Sequence, residues 1–302
     1  MISIIIPVLN EENEILNKTI SSVLETCPND IEVIVVDDSS DHPIIIEEKY
    51  RDKIIFHRNP FRMGAAQTKH IGVTFSTKQY IYLTDSHVLF ENGWYEQCLK
   101  SMEKESRTLW CGSCLGLSRD RFDLKKVRGE YTGAKLFLHN EKDNEILDGK
   151  WIPAENKDEY EISCIMGANY FMHKDWFFKI RGYGDLRAWG SEEPCLSIKT
   201  WLAGGSVKIN RKVRMGHMFR DAAPYQTPIR DIIYNKIRMA KTFFSKDISE
   251  DLVQKISKKD NFVEALNFLN SHYSIIDEYS RYYQSIFVRD VDWLCKKFNI
   301  DI

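Results

Sequence analysis

Ile2-Ser3-Ile4-Ile5-Ile6-Pro7-Val8-Leu9-Asn10-Glu11-Glu12-Asn13 decides the fold. From Ile2 to Val8 the chain is β-rich and almost wholly apolar, the pattern of a strand covered on both faces. Asn10 to Asn13 breaks it. Asn13 or a neighbour can cap a helix whose Ile15, Leu16, Ile20, Val23 and Leu24 recur at helical spacing. Cys27-Pro28-Asn29-Asp30 ends that helix. A second buried strand follows at Ile31 to Val36, closed by Asp37-Asp38-Ser39-Ser40-Asp41. Lys53 to His57 reads as a third strand, Gly64 to Phe75 as a helix, and Tyr80 to Thr84 as a fourth strand. Strands alternating with helices predict an α/β fold, a mostly parallel sheet with helices on both faces. Ligands of such sheets bind beyond the carboxyl ends of the strands. The acidic clusters at 37–38 and 85–87 lie at two such ends.

Further along the pattern loosens. Ser118 to Glu161 is charged, with hairpin-like pieces at Ala134–His139 and Glu145–Ile152, and reads as an insertion shaping an acceptor side. Ile162 to His173 returns to β character, Glu193 to Leu202 is helical, and Ser206 to Ile209 is a short strand. From about Arg230 the chain is amphipathic and helical. The expected division is therefore a catalytic domain over 1–230 and a helical extension over 231–302 packed on it.

Composition narrows the class. With 302 residues, 43% hydrophobic and 28% charged, the chain is globular. A formal net charge of −2 argues against a dedicated basic nucleic-acid binder and leaves a local basic face open. No apolar run approaches the roughly 20 residues of a membrane span. Seven scattered cysteines, with no secretion signal, predict reduced thiols and a cytoplasmic location. Cys111-Gly112-Ser113-Cys114 is a lone CxxC. Two buried strand or turn cysteines explain it better than half a zinc site or a redox pair.

Asp85-Ser86-His87 ends an apolar strand. Residues two apart in extended chain point the same way, so one carboxylate and one imidazole can reach a single ion. Mixed oxygen and nitrogen ligands suit Mn²⁺, with Mg²⁺ possible. A turn with a capping Asp and a solvated His explains the pair better when it is taken alone. His217 supplies a candidate third ligand after a short strand and a basic turn, leaving open positions for phosphate oxygens.

Ser3-Ile-Ile-Ile-Pro-Val-Leu-Asn10-Glu11-Glu12, followed by Val35-Val36-Asp37-Asp38-Ser39-Ser40, resembles the opening of the family-2-type glycosyltransferases of GT-A (Rossmann-like) fold. Asp85-Ser-His87, Trp189-Gly-Ser-Glu192 and Gly216-His217-Met-Phe-Arg220-Asp-Ala-Ala-Pro224-Tyr225 resemble the polypeptide N-acetylgalactosaminyltransferases. The resemblance covers roughly residues 1–240. It implies transfer of a hexose or N-acetylhexosamine from a UDP-sugar to an acceptor hydroxyl, with retention. It implies Mn²⁺ on Asp85, His87 and His217, with Pro7, Val8, Leu9 and Glu11 along the nucleotide and Asp37 facing the uracil or ribose. Glu192 would contact the donor sugar, and Arg220 and Tyr225 would cover the diphosphate.

The chain departs from that family in three places. Gln67 stands where an arginine is common, so diphosphate contacts change. Glu193 stands where the family has an asparagine. A second acid there serves other, inverting enzymes as base, so inversion through Glu193 is the alternative. Helices replace the C-terminal lectin repeats, so the acceptor hydroxyl is open: protein, glycan or hydroxymethylated pyrimidines of DNA. For the DNA acceptor, two basic clusters (Arg119, Arg121, Lys125, Lys126, Arg128; Lys208, Arg211, Lys212, Arg214) could track phosphates, although solvated loop charge explains them better. A reading of another class is a non-catalytic nucleotide-sugar-binding protein. The sequence leaves the oligomeric state unknown.

Overall fold

The computed structural model describes residues 1–27, 30–118, 122–140, 145–184, 186–220 and 226–300. Strand β1 (Ile2–Val8) pairs in parallel with β2 (Glu32–Asp37) on one side and β4 (Tyr80–Thr84) on the other. Strand β3 (Ile54–Arg58) extends the parallel set beyond β2. Helix α1 (Asn13–Thr26), helix α2 (Glu48–Arg51) and helix α3 (Ala65–Phe75) are its crossovers. Helix α3 lies tight on β1 because Gly72 has no side chain: a Cβ there would sit 2.4 Å from Ile5 Cγ2.

Strand β5 (Val88–Phe90) and helix α4 (Trp94–Lys104) lead into β6 (Thr108–Leu117), whose ten residues are all buried. The antiparallel hairpin of β7 (Glu130–Asn140) and β8 (Glu145–Pro153), with the short β9 (Glu159–Glu161), forms the loosened insertion. Strand β10 (Asn169–His173) precedes helix α5 (Lys174–Lys179) and helix α6 (Glu192–Leu202), and β11 (Ser206–Met218) closes the sheet. The order β3-β2-β1-β4-β10-β6-β11-β5 is parallel as far as β4. Strand β10 then runs antiparallel between β4 and β6, so "mostly parallel" holds for the N-terminal half only and the whole sheet is mixed. The seam is aromatic: Tyr82 stacks on Phe171 at 5.7 Å and Phe171 on Trp110 at 6.4 Å.

Strand β11 corrects a second expectation. The strand expected to end at Ile209 runs to Met218, with a register break against β6 between Asn210 and Arg214. The basic turn is that bulge, and His217 lies in the strand, not in a loop beyond it.

Helices α7 (Ile229–Phe243), α8 (Lys246–Ile256), α9 (Phe262–Asn270), α10 (Tyr273–Ile286) and α11 (Val291–Phe298) form the C-terminal part. Helix α7 is central among α8, α9 and α10 and also touches β8, while α11 packs on α6. No helix among the described residues is long and apolar enough to cross a membrane.

Candidate active site

Asp85, Ser86 and His87 form the bend between β4 and β5. Strand β5 pairs with β11, placing Val88 opposite His217, and Met218 N donates to His87 O at 3.1 Å. Two segments far apart in sequence are thus joined by one ladder. Candidate ligand atoms of Asp85, His87 and His217 lie within 4.8 Å of one another, the one such cluster among the described residues. His217 Nε2 is 3.2 Å from Asp85 Oδ2. His87 Nδ1 lies 2.9 Å from Glu11 Oε2, which orients that ring and leaves its Nε2 lone pair available.

The protonation states suit a cation. Burial opposes ionisation of Asp85, but Lys69, His217 and His87 together hold its carboxyl far below the ordinary range. Burial and the charges of His87 and Lys69 keep His217 below its ordinary value, outweighing the pull of Asp85. An ionised carboxylate beside a neutral imidazole is the ligating form of both groups. His217 Nδ1 is buried with no hydrogen-bond partner among the described residues.

These residues open on a cavity of about 870 Å³. Pro7, Val8, Leu9 and Glu11 line it, as do Glu192 and Glu193 from the first turn of α6. Glu192 is 3% exposed, and its Oε2 accepts from Gly190 N at 2.7 Å. Burial and the charge of Glu193 push the Glu192 carboxyl up to about 8. Burial raises Glu193 as well, against the pull of Lys69. The Glu193 carboxyl lies over Gly167, where an added Cβ would stand 2.8 Å from Oε1.

Lys69 is a buried cation lining the cavity that sequence reasoning passed over. Its Nζ is 3.3 Å from Asp85 Oδ1 and its side chain is 5% exposed. Burial opposes its charge, but Tyr170, Asp85, Glu193 and Glu192 hold its pKa well above the ordinary range. A lysine at helical spacing from Ala65 and Ala66, on the face that buries Ala66 and Val73, was the available signal.

Asp37 is placed differently from expectation. It is fully buried, accepts from Ser40 N at 2.9 Å and Ser40 Oγ at 2.6 Å, pairs with Arg58, and does not line the cavity. Asp38 lines it instead, accepting from Met63 N at 2.8 Å and Gly64 N at 2.7 Å. Gln67 lines the cavity, but its amide donates to Tyr183 O at 2.8 Å and Leu186 O at 2.7 Å, bracing the loop ahead of Trp189. Gly64 touches that loop: its φ is +88°, and a Cβ would lie 2.1 Å from Ala188 O.

Arg220 pairs with Glu11. Burial opposes Glu11, yet His87, Arg220 and Ser86 keep its carboxyl below the ordinary range. Tyr225 lies outside the described residues. Trp151 and Phe219 line the cavity with their rings 5.0 Å apart, and Trp189, 48% exposed, stands at its rim.

The basic cluster of β11 is spent internally. Lys208 pairs with Glu105 at 2.5 Å, Arg211 with Glu130 at 3.1 Å, Lys212 with Asp158 at 2.6 Å and Arg214 with Glu91 at 2.7 Å. These pairs offset the positive charge of that cluster, and the DNA acceptor has no support from it. Arg119 and Arg121 lie outside the described residues. Cys111 and Cys114 are buried in β6, and burial pushes Cys111 up to about 12, so neither is a reactive thiol.

A Rossmann-like parallel half joined to a mixed half, with a carboxylate and two histidines where they meet, is the arrangement expected of a glycosyltransferase of GT-A architecture. The chain belongs to glycosyl transferase family 2, which matches residues 3–180. It is 24% identical over 261 residues to polypeptide N-acetylgalactosaminyltransferase 10 of Homo sapiens, covering 84% of this chain and 43% of that one. With polypeptide N-acetylgalactosaminyltransferase 11 of Xenopus tropicalis it shares 26% over 261 residues, covering 82% and 43%. The chain therefore spans less than half the length of these relatives. The crystal structure of GalNAc-T7 with UDP, GalNAc and Mn²⁺ has the same fold, with a TM-score of 0.72 at 17% identity over 98% of this chain and 56% of that one. Family membership sets aside the non-catalytic binder in favour of an enzyme.

Proposed function

We propose that the chain transfers a hexose or N-acetylhexosamine from a UDP-sugar to a hydroxyl of a protein or glycan acceptor, with a divalent cation, Mn²⁺ or else Mg²⁺, held by Asp85, His87 and His217. The observation that carries this is the ligand cluster at the carboxyl end of β4, opening on a cavity large enough for a nucleotide sugar. The relatives are named as N-acetylgalactosaminyltransferases, and the matched structure holds UDP, GalNAc and Mn²⁺, which supports the same donor class. A bound cation supplies Lewis-acid stabilisation of the departing diphosphate. Pro7, Val8 and Leu9 bind the nucleoside, with Asp38 in the place expected of Asp37. Arg220 leaves Glu11 for the diphosphate and adds positive charge where negative charge develops. Lys69 holds Asp85 and the two glutamates in one charge-balanced set. Glu192, protonated at neutral pH, can donate a hydrogen bond to a sugar hydroxyl.

Retention is the outcome we propose, as the family resemblance of the motifs implies. One observation favours inversion as a second reading: Glu193 lines the cavity over Gly167 instead of turning away, as a base for an acceptor hydroxyl requires. We place the chain in a reducing compartment such as the cytoplasm, on its seven free cysteines.

The test is UDP-sugar hydrolysis with Mn²⁺, scored by NMR for the anomer of the released sugar. Asp85→Ala and His217→Ala should each lower turnover by about a hundredfold or more, and chelation should do the same. Full activity in either variant refutes the metal assignment. An inverted product that disappears in Glu193→Asn assigns the base to Glu193.

A further inference from the structure

Two sets of charged residues line the cavity. Asp85, Glu11, Glu192 and Glu193, with Lys69 and Arg220 among them, form one part, and Arg187, Arg238 and His272, with Asp231, form another. The second part is built largely by the C-terminal helices: Arg238 lies on α7, and His272 precedes α10.

Arg238 is 6% exposed. Its Nη1 donates to Tyr234 Oη at 2.8 Å, and its guanidinium lies over the Tyr279 ring at 4.6 Å. Its Nε and Nη2 are buried and have no hydrogen-bond partner among the described residues. Buried charged donors are ordinarily paired, so this edge requires an explanation. Asp231, the carboxylate that lines the cavity from the same helix, is already taken by Arg230 at 3.1 Å and Arg187 at 3.7 Å. Nε and Nη2 are also the two donors that grip the paired oxygens of an oxyanion side by side. Tyr234 fixes the third nitrogen and so orients this fork.

We propose that Arg238 anchors an oxyanion, a carboxylate or phosphate, carried by the acceptor. This rests on reading the cavity as a donor and acceptor site. The donor diphosphate has its own cation, Arg220, at the end lined by Glu11 and the metal cluster, whereas Arg238, Tyr234 and Tyr279 all come from helices beyond residue 228. Acceptors with an acidic group beside the receiving hydroxyl fit this site, and neutral ones leave the fork empty.

Inorganic phosphate is the probe, followed by calorimetry and by ³¹P line broadening on the whole chain. Wild type should bind phosphate and keep binding it in saturating UDP and Mn²⁺. Arg238→Gln should weaken binding by about tenfold or more, and Arg238→Lys, which keeps the charge but loses the fork, should also weaken it. Should Arg238→Gln fail to fold, Tyr234→Phe keeps the ring, frees the guanidinium to rotate, and should lower phosphate affinity severalfold. Equal affinity in the folded Arg238 variants, no phosphate binding by wild type, or displacement of phosphate by UDP overturns the proposal. Phosphate binding needs neither metal nor donor, so a failure of the metal assignment and a failure of this site are read separately.

Discussion

Glu192→Gln should make the protein more stable at high pH and change it little at low pH. The Glu192 carboxyl is 3% exposed, and its Oε1 has no hydrogen-bond partner among the described residues. Burial first, and the charge of Glu193 second, raise it from 4.5 to about 8. For an acid raised in the folded state, the native protein holds a proton that the unfolded chain has lost between those two values. Stability therefore falls as pH climbs through that window, and the deficit is complete above the folded pKa. At roughly 1.36 kcal/mol per pH unit, the rise corresponds to about 5 kcal/mol. Only the Glu193 repulsion is shared, and burial, the larger cause, acts on Glu192 itself, so Glu192→Gln should recover at least about half of that, ~2 kcal/mol or more. Glutamine keeps an oxygen for Gly190 N. Any cost of its buried amide N–H is independent of pH and cancels between two pH values. Urea unfolding of the metal-free protein at pH 5 and pH 8.5, wild type against variant, isolates the effect. Parallel curves for the two proteins, or a variant that loses ground at pH 8.5, would refute the charge assignment.

Lys69→Met removes the cation between Asp85, Glu192 and Glu193. Breaking such a pair from one side should cost about 3–5 kcal/mol, read as a lower urea midpoint at unchanged slope. Gly64→Ala puts a Cβ 2.1 Å from Ala188 O at a φ of +88°. It should cost more than about 1 kcal/mol and weaken UDP binding by shifting the loop before Trp189, measured by thermal unfolding and titration. Gly72→Val should destabilise through overpacking, since a Cβ already meets Ile5 Cγ2 at 2.4 Å, by about 1–3 kcal/mol or more.

The parallel half of the fold was legible because its strands are apolar runs and its helices carry a clean period. Ile2–Val8 and Tyr80–Thr84 fall where the pattern puts them. In the second half the β7–β8 hairpin, helix α6 and the C-terminal helices were legible, while β6 and the full length of β11 were not. Strand β6 is fully buried, but Gly112, Ser113 and Gly116 interrupt its apolar run. Strand β11 is interrupted by Arg211, Lys212 and Arg214, whose ion pairs exist only in three dimensions. The same distinction runs through the site. Asp85, His87 and His217 stand out as residue types in motifs, and the structure brings them together. Asp37 and Asp38 are adjacent and chemically identical, and only the Arg58 and Ser40 contacts decide which of them turns inward. Lys69 carries no motif, and Arg238 looks like one more charge on an amphipathic helix until its burial is known.

The bulge in β11 has an arithmetic consequence. Asn210 stands opposite Gly112 and Arg214 opposite Ser113, so three residues, 211–213, are inserted between consecutive partners. Opposed residues in a parallel pair share a face, and faces alternate along each strand. Because those three residues are looped out of the pairing, His217 stands opposite Gly116; had the first register continued through them, it would fall opposite position 119 and face the other way. An odd insertion thus works as a parity switch: the strand that fills the core with Val207 and Ile209 delivers a ligand to the open side by His217.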